Sequence, residues 1–316
     1  MNNKKIIAVV GSTGAQGGGL ARAILNDKNS EFTVRAITRN INSDKAKAIA
    51  ALGAELFQAD TDDLASITKA FEGAYGAYCL TNFWEHFSPE REVQQAVNMA
   101  HAAKEADLKH VIWSTFEDTR KFIPLDDNRM PTLMGKYKVA HFDAKSEADH
   151  VFTELGVPTT FLYTSYYWDN NIYFGLGPKK GPDGNYYLTM PMGDKKLPGI
   201  AVEDIGKCAY GIFKKGKELI GKTVGVAGEH LTGKQMAEAM SKSIGKEIRY
   251  NAVTPDVYRG FGFPGAEDMG NMFQFKHDFE DAYCGIRNVN FSRELNPELQ
   301  SFDKWLSRFG SKIPLE

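Results

Sequence analysis

Ile6–Gly19 reads IIAVVGSTGAQGGG: five apolar, mostly β-branched residues, then glycines at 11, 14 and 17. A continuous apolar run of this kind suits a strand buried on both faces of a sheet. Gly11 permits a tight turn, Gly14 lets the backbone approach a pyrophosphate, and Gly17 lets the next helix pack closely on the strand. Amide groups at the helix start then face an anion, helped by the helix dipole. Glycine-rich turns are common. The strand before this one and the amphipathic run after it give it weight. The segment is therefore expected to form a strand at 6–10, a loop at 11–19 and a helix at 20–26, the opening of a dinucleotide-binding fold.

The alternation continues downstream. Strand patterns at 33–38, 55–58, 77–80, 110–114 and 159–164 are separated by helical patterns near 44–52, 64–72, 90–106 and 139–155. Repeated strand–helix units predict an α/β protein with a doubly wound parallel Rossmann sheet. After Thr164 the character changes to a Gly-, Pro- and Tyr-rich stretch, including GLGPKKGPDG at 175–184. The expected division is a nucleotide-binding domain at 1–165 and a smaller α+β lobe at 166–316, with some elements of the lobe returning to the first domain.

Composition narrows the function. The 316 residues suffice for one large or two modest domains, and 42% hydrophobic with 25% charged residues excludes a disordered or fibrous chain. Lys+Arg 38 against Asp+Glu 40 leaves a net charge of −2, so global charge gives no case for a nucleic acid or an acidic membrane. Cys79, Cys208 and Cys284 form no CxxC pair and read as small buried hydrophobes. No metal-ligand spacing, DNA-reading helix or membrane-length apolar run appears, and no signal-peptide pattern opens the chain. The expected location is cytoplasmic, with the nucleus open.

The second strand decides the cofactor. NAD sites usually carry Asp or Glu at its end for the ribose hydroxyls. Here the strand ends TVRAITRN, with Arg39 where an acid would stand. A guanidinium matches a 2′-phosphate, which points to NADP(H). Asp60–Leu64 and Thr81-Asn82-Phe83 follow the third and fourth strands, at the same expected edge of the sheet. Ligands of open α/β sheets bind there.

Short-chain reductases need a Tyr with Lys four residues later on one helix, the phenol as proton donor and the ammonium lowering its pKa. The matching segment is YKVAHFDAK, 137–145. His141, not Tyr, stands four before Lys145, and Tyr137 lies a further turn back. Ser114 is the expected hydroxyl partner. Ser114, His141 and Tyr137 are thus the catalytic alternatives to a protein without chemistry of its own. His141 reads more readily as a cleft-lining residue and Lys145 as a ribose or nicotinamide contact.

VVGSTGAQGGG, the TRN after the second strand, LTNFWE, AHFDAK and GFPGAEDMGNMFQF together resemble the NmrA-like family, an atypical branch of the short-chain dehydrogenases. The resemblance spans nearly the whole chain. It implies an NADP(H)-binding Rossmann domain that lacks the working Tyr/Lys pair and responds to the NADPH/NADP ratio in place of turning over a substrate; the expected partner is a regulatory protein, with a homodimer as a separate expectation. Carried over, cofactor contacts fall on Gly11, Ser12, Thr13, Gly14, Ala15 and Gln16, on Arg39 and Asn40, and on Asp63 and Leu64. They continue at Thr81, Asn82 and Phe83, at Lys145, and at Tyr167, Trp168, Asp169 and Asn170. Gln94 stands where related proteins offer a lysine, which puts that contact in doubt. The segment 116–136 is long for its place, and its Pro, Asp and Met content predicts a flexible lid.

Two further features stay open at this point. Tyr163, Tyr166, Tyr167, Trp168, Tyr173 and Phe174 form either core or a pocket wall. Met269, Met272, Phe273 and Phe275, on one expected helix, close a cleft or face a partner. Gly216–Thr223 matches GxxxxGK[ST], but a helix precedes it and a strand follows, the reverse of a phosphate-binding loop.

Overall fold

The computed structural model describes residues 4–315. Their elements, in chain order, are β1 (Lys5–Val9), α1 (Ala15–Asn26), β2 (Phe32–Thr38), α2 (Asp44–Ala51), β3 (Glu55–Gln58), α3 (Leu64–Phe71), β4 (Gly76–Cys79), α4 (Pro89–Glu105), β5 (His110–Thr115), α5 (Ala140–Glu147), α6 (Asp149–Glu154) and β6 (Thr159–Tyr163). Then follow β7 (Tyr166–Tyr167), α7 (Asn170–Tyr173), β8 (Lys179–Lys180), β9 (Tyr186–Met190), β10 (Lys196–Ile200), α8 (Val202–Lys215), β11 (Thr223–Gly225), β12 (Glu229–Thr232), α9 (Gly233–Ile244), β13 (Ile248–Ala252), α10 (Pro255–Arg259), α11 (Ala266–Asp278), α12 (Glu280–Ile286), α13 (Val289–Leu295) and α14 (Phe302–Phe309).

The chain divides into two compact units. One comprises the chain up to Asp118, His141–Thr164 and Ile205–Val224. The other comprises Thr119–Ala140, Ser165–Asp204 and the chain from Gly225 on. A change of unit thus falls at Thr164/Ser165, beside the expected boundary, but 119–140 joins the second unit and 205–224 the first.

The first unit is built on a seven-stranded sheet in the order β11-β6-β5-β4-β1-β2-β3, and β1 pairs in parallel with both β2 and β4. The chain therefore reverses direction of winding between β1 and β4, the place where such sheets open a crevice beyond their carboxyl ends. Residues along a strand alternate between faces. Ala8, Cys79, Val111 and Trp113 join Ile67, Met99 and Phe152 in one cluster. Ile7, Val9, Leu20 and Ile24 are equally buried. Glycine sets how closely one helix pair approaches. A Cβ on Gly206 of α8 would lie 2.2 Å from the Gly19 carbonyl carbon of α1. Gly206→Ala is therefore expected to cost about 1–3 kcal/mol of stability, read as a lower Tm, because the two backbones must part to admit it.

Helix α1 begins at Ala15, not Leu20. The run Gly17-Gly18-Gly19 has poor helix propensity, but all three are buried in the helix. The expected single helix at 139–155 is two, α5 and α6, broken at Ala148.

In the second unit a small sheet runs β12-β10-β7 and another β13-β9-β8. The segment expected to be a loose lid is pinned. Asn271 of α11 donates to the carbonyls of Pro131 and Lys138, Gln274 donates to that of Arg129, and Lys138 Nζ donates to those of Asp127 and Met130. Thr119, Ile123 and Met130 of the segment itself are buried. A segment with so many of its carbonyls tied to side chains is a strap and not a mobile flap. Phe273 and Phe275 of α11 are core, so that helix offers no aromatic face to a partner through them. The tyrosine-rich set is split: Tyr166 and Trp168 are core, while Tyr173 and Phe174 are 70% and 65% exposed.

Candidate functional site

The glycine loop places its residues at the crevice edge of the sheet. Gly11 has φ +63°, the left-handed region that disfavours a side chain. A Cβ on Gly17 would lie 2.6 Å from the Gly11 oxygen, so the first turn of α1 lies directly on the loop. Ser12 Oγ donates to the Ile37 carbonyl at 3.0 Å, fastening the loop to β2. Gly14 is the N-cap of α1 and brings no side chain to its first-turn amides. The helical ladder starts with Gly18 N–H to Gly14 O at 3.1 Å. Thr13, Gly14 and Ala15 line a solvent-facing turn. An uncapped helix start at a glycine cradle is an anion site by its backbone alone.

Gln16 does something the sequence did not signal. Its side-chain oxygen accepts from Tyr78 Oη of β4 and from Ser114 Oγ of β5, the latter at 2.9 Å. The Ser114 hydroxyl, 2% exposed, is thus a donor to the protein itself. Next to it, Thr115 Oγ1 is fully buried with no hydrogen-bond partner.

Arg39 follows β2 and is exposed, with its guanidinium 2.6 Å from Glu85 Oε1. Asn40 closes an Asx turn on the Asn42 N–H. Asp63 is the N-cap of α3 and accepts from Ala65 N–H at 3.0 Å, so its carboxylate is already engaged, and Leu64 opens that helix, exposed. Asp62 holds Arg91 of α4 with both oxygens, and the guanidinium keeps its carboxyl below the usual range. Asn82 is exposed, and Phe83 is buried against Trp84 and His141.

The deepest group is a cluster that pattern reading missed. Glu92, wholly buried in the first turn of α4, sits 2.7 Å from Lys145 Nζ of α5. Thr81 Oγ1 donates to the same carboxylate at 2.6 Å, and Lys145 also donates to Thr81 O and Oγ1 at 3.0 and 2.5 Å. An ammonium has three donors. All three directions of Lys145 are therefore taken by protein, and a ribose hydroxyl would have to displace one of them. His86 Nδ1 accepts from Ser88 N–H, which puts the ring proton on Nε2, 3.3 Å from Glu92 Oε2. The signal was present. Glu92 shares its helical stripe with Ala96, Met99 and Ala103, all buried, and an acid on an apolar stripe needs a cation.

His141 lies in the first turn of α5 among rings, 4.8 Å from Trp84 and 4.7 Å from Phe142 by centroid. Tyr137 is not on that helix. It pairs with Leu133 in a turn of the second unit and is 1% exposed. No phenol precedes Lys145 by one turn.

Of the residues expected as contacts at 167–170, two have side chains already engaged by the protein. The Trp168 ring is 1% exposed and fills the space under Gly199, where a Cβ would come within 2.2 Å of Nε1, so it has no face to offer a ligand. Asp169 Oδ2 accepts from Val202 N–H at 2.9 Å at the start of α8, and burial pushes its carboxyl up. Tyr167 pairs with Ile200 in β7–β10, and Asn170 opens α7. Among the described residues no group of acidic, His or Cys side chains could hold a metal, and no helix is long and apolar enough to cross a membrane.

Known proteins resemble this chain along its length. It is 28% identical over 304 residues to the NmrA-like family domain-containing oxidoreductase cpsB of Aspergillus campestris, covering 90% of this chain and 86% of that protein. It is 30% identical over 259 residues to malD of Malbranchea aurantiaca, another protein so described, covering 78% and 75%. In fold it superposes on NmrA, a negative transcriptional regulator solved with NADP, at TM-score 0.78 and 23% identity, covering 96% and 94% of the two chains. It superposes on the NADPH-bound quinone oxidoreductase QOR2 of Escherichia coli at TM-score 0.71 and 20% identity, covering 96% and 99%. The model of the NmrA-like family matches residues 3–306, and the chain belongs to that family.

Proposed function

We propose that this protein binds NADP(H) and reports the NADPH/NADP ratio to a protein partner. The observation that carries the reading is the pairing of an uncapped glycine cradle at α1 with an arginine, and no acid, at the end of β2. The residues fit the dinucleotide. The cradle has no room for a Cβ at Gly17, and a buried hydroxyl without a partner, Thr115 Oγ1, stands at the carboxyl end of β5. Arg39 would take the 2′-phosphate and the amides of the first turn of α1 the pyrophosphate. When bound, the nicotinamide supplies hydride chemistry. The protein brings little to it, because the Ser114 hydroxyl is engaged by Gln16 and no phenol stands one turn before Lys145.

A sensor must bind one redox form with a different conformational preference from the other. Saturating NADPH is expected to change hydrogen exchange or limited proteolysis relative to saturating NADP. Identical patterns with both would end this reading.

A second reading is an NADPH-dependent reductase of a small carbonyl or quinone. His141 favours it, one helical turn before Lys145, and so does the description of the fungal relatives as oxidoreductases. Loss of NADPH absorbance with a panel of quinones and aldehydes tests it. The sensor reading expects no turnover, and any turnover found should vanish in His141→Ala.

A further inference from the structure

An acid reaches Arg39 after all, supplied from the turn that follows β4. The short turn Phe83–Glu85 follows β4, anchored by the buried Phe83 ring and by Glu85 N–H donating to Asn82 O at 3.1 Å. It presents Glu85 to Arg39, whose guanidinium lies 2.6 Å from the carboxylate. Arg91 beside them is held by both oxygens of Asp62 and also feels Asp60 and Glu85. Arg39 is thus the guanidinium at the end of β2, and among the described residues one exposed carboxylate, Glu85, holds it.

We propose that Glu85 sets the choice between the two dinucleotides: it competes with a 2′-phosphate for Arg39 and accepts the ribose hydroxyls of a dinucleotide that lacks one. The inference rests on Arg39 being the 2′-phosphate ligand. A phosphate carries roughly −1.5 to −2 charges against one on the carboxylate, so it wins the guanidinium but must displace Glu85 and then lie beside it. The plain ribose offers only donors to a carboxylate. It binds without breaking the ion pair, and Glu85 takes the role of the acid that β2 lacks. The site then admits both cofactors, and its preference for the phosphorylated one is smaller than Arg39 alone would give.

Direct titration of the wild type, Glu85→Gln and Arg39→Gln with NADPH and NADH tests this. Both side chains are exposed, so the substitutions should leave folding intact, which circular dichroism checks. In Glu85→Gln, NADPH should bind about threefold to tenfold tighter, the scale of an exposed ion pair, and NADH weaker. The ratio of the two affinities should rise by roughly tenfold. An unchanged ratio in Glu85→Gln, with Arg39→Gln losing its preference for NADPH, overturns the role of Glu85 and leaves that of Arg39 standing. An unchanged ratio in both variants overturns the assignment of Arg39 as well.

Discussion

Arg39→Gln is expected to weaken NADPH binding by about ten- to a hundredfold while leaving NADH nearly unchanged. A hydrogen bond to a charged group contributes roughly 1.5–3 kcal/mol, and 1.4 kcal/mol is a factor of ten in affinity. The loss stays specific because the pyrophosphate is left to backbone amides at Ala15 and beyond, which the substitution does not touch. Arg39 is exposed, and its partner in the protein is the exposed Glu85, so little stability is at stake. Calorimetric titration with both dinucleotides at one salt concentration decides the matter. Equal losses for NADPH and NADH would mean that the guanidinium does not read the 2′ position.

Lys145→Met is expected to cost about 3–5 kcal/mol of stability, because it strands the Glu92 carboxylate in the interior. The remaining neighbours are the Thr81 hydroxyl and His86 Nε2 at 3.3 Å. The double variant Lys145→Met with Glu92→Leu should recover most of the loss, since it removes both charges and keeps the volume apolar. A double-mutant cycle by thermal unfolding measures the coupling. If the single variant unfolds like the wild type, the pair is solvated and the burial of Glu92 is wrong. The result also bears on function. A lysine whose loss is mainly structural is a poor candidate for a group that also turns toward a nicotinamide ribose.

Much of the first unit was legible residue by residue. The apolar runs at β1, β4 and β5 differ from the helical patterns between them in period, and periodicity is local. The start of α1 was not legible. Gly17, Gly18 and Gly19 argue against helix by propensity, yet a Cβ on Gly17 would meet the Gly11 backbone at 2.6 Å and Gly206 of α8 packs against the backbone of Gly19. Tyr137 was misplaced for a related reason. Its sequence continues a helical pattern, but the chain is turned there by its pairing with Leu133 and enters α5 only at Ala140. The resemblance carried a ligand contact to Trp168, whose ring packs against Phe302 and Trp305 in the core, a placement no local pattern in the sequence announces.

The sequence by itself determined a parallel nucleotide-binding sheet, an anion cradle at its first turn and a cation at the end of its second strand, since each is written in contiguous residues. Which partner each charge meets was decided only in three dimensions. Glu85 reaches Arg39 and Glu92 reaches Lys145 across separations of 46 and 53 positions. Burial then sets what those meetings are worth: the exposed pair contributes little to stability, and the buried one makes the loss of either partner costly.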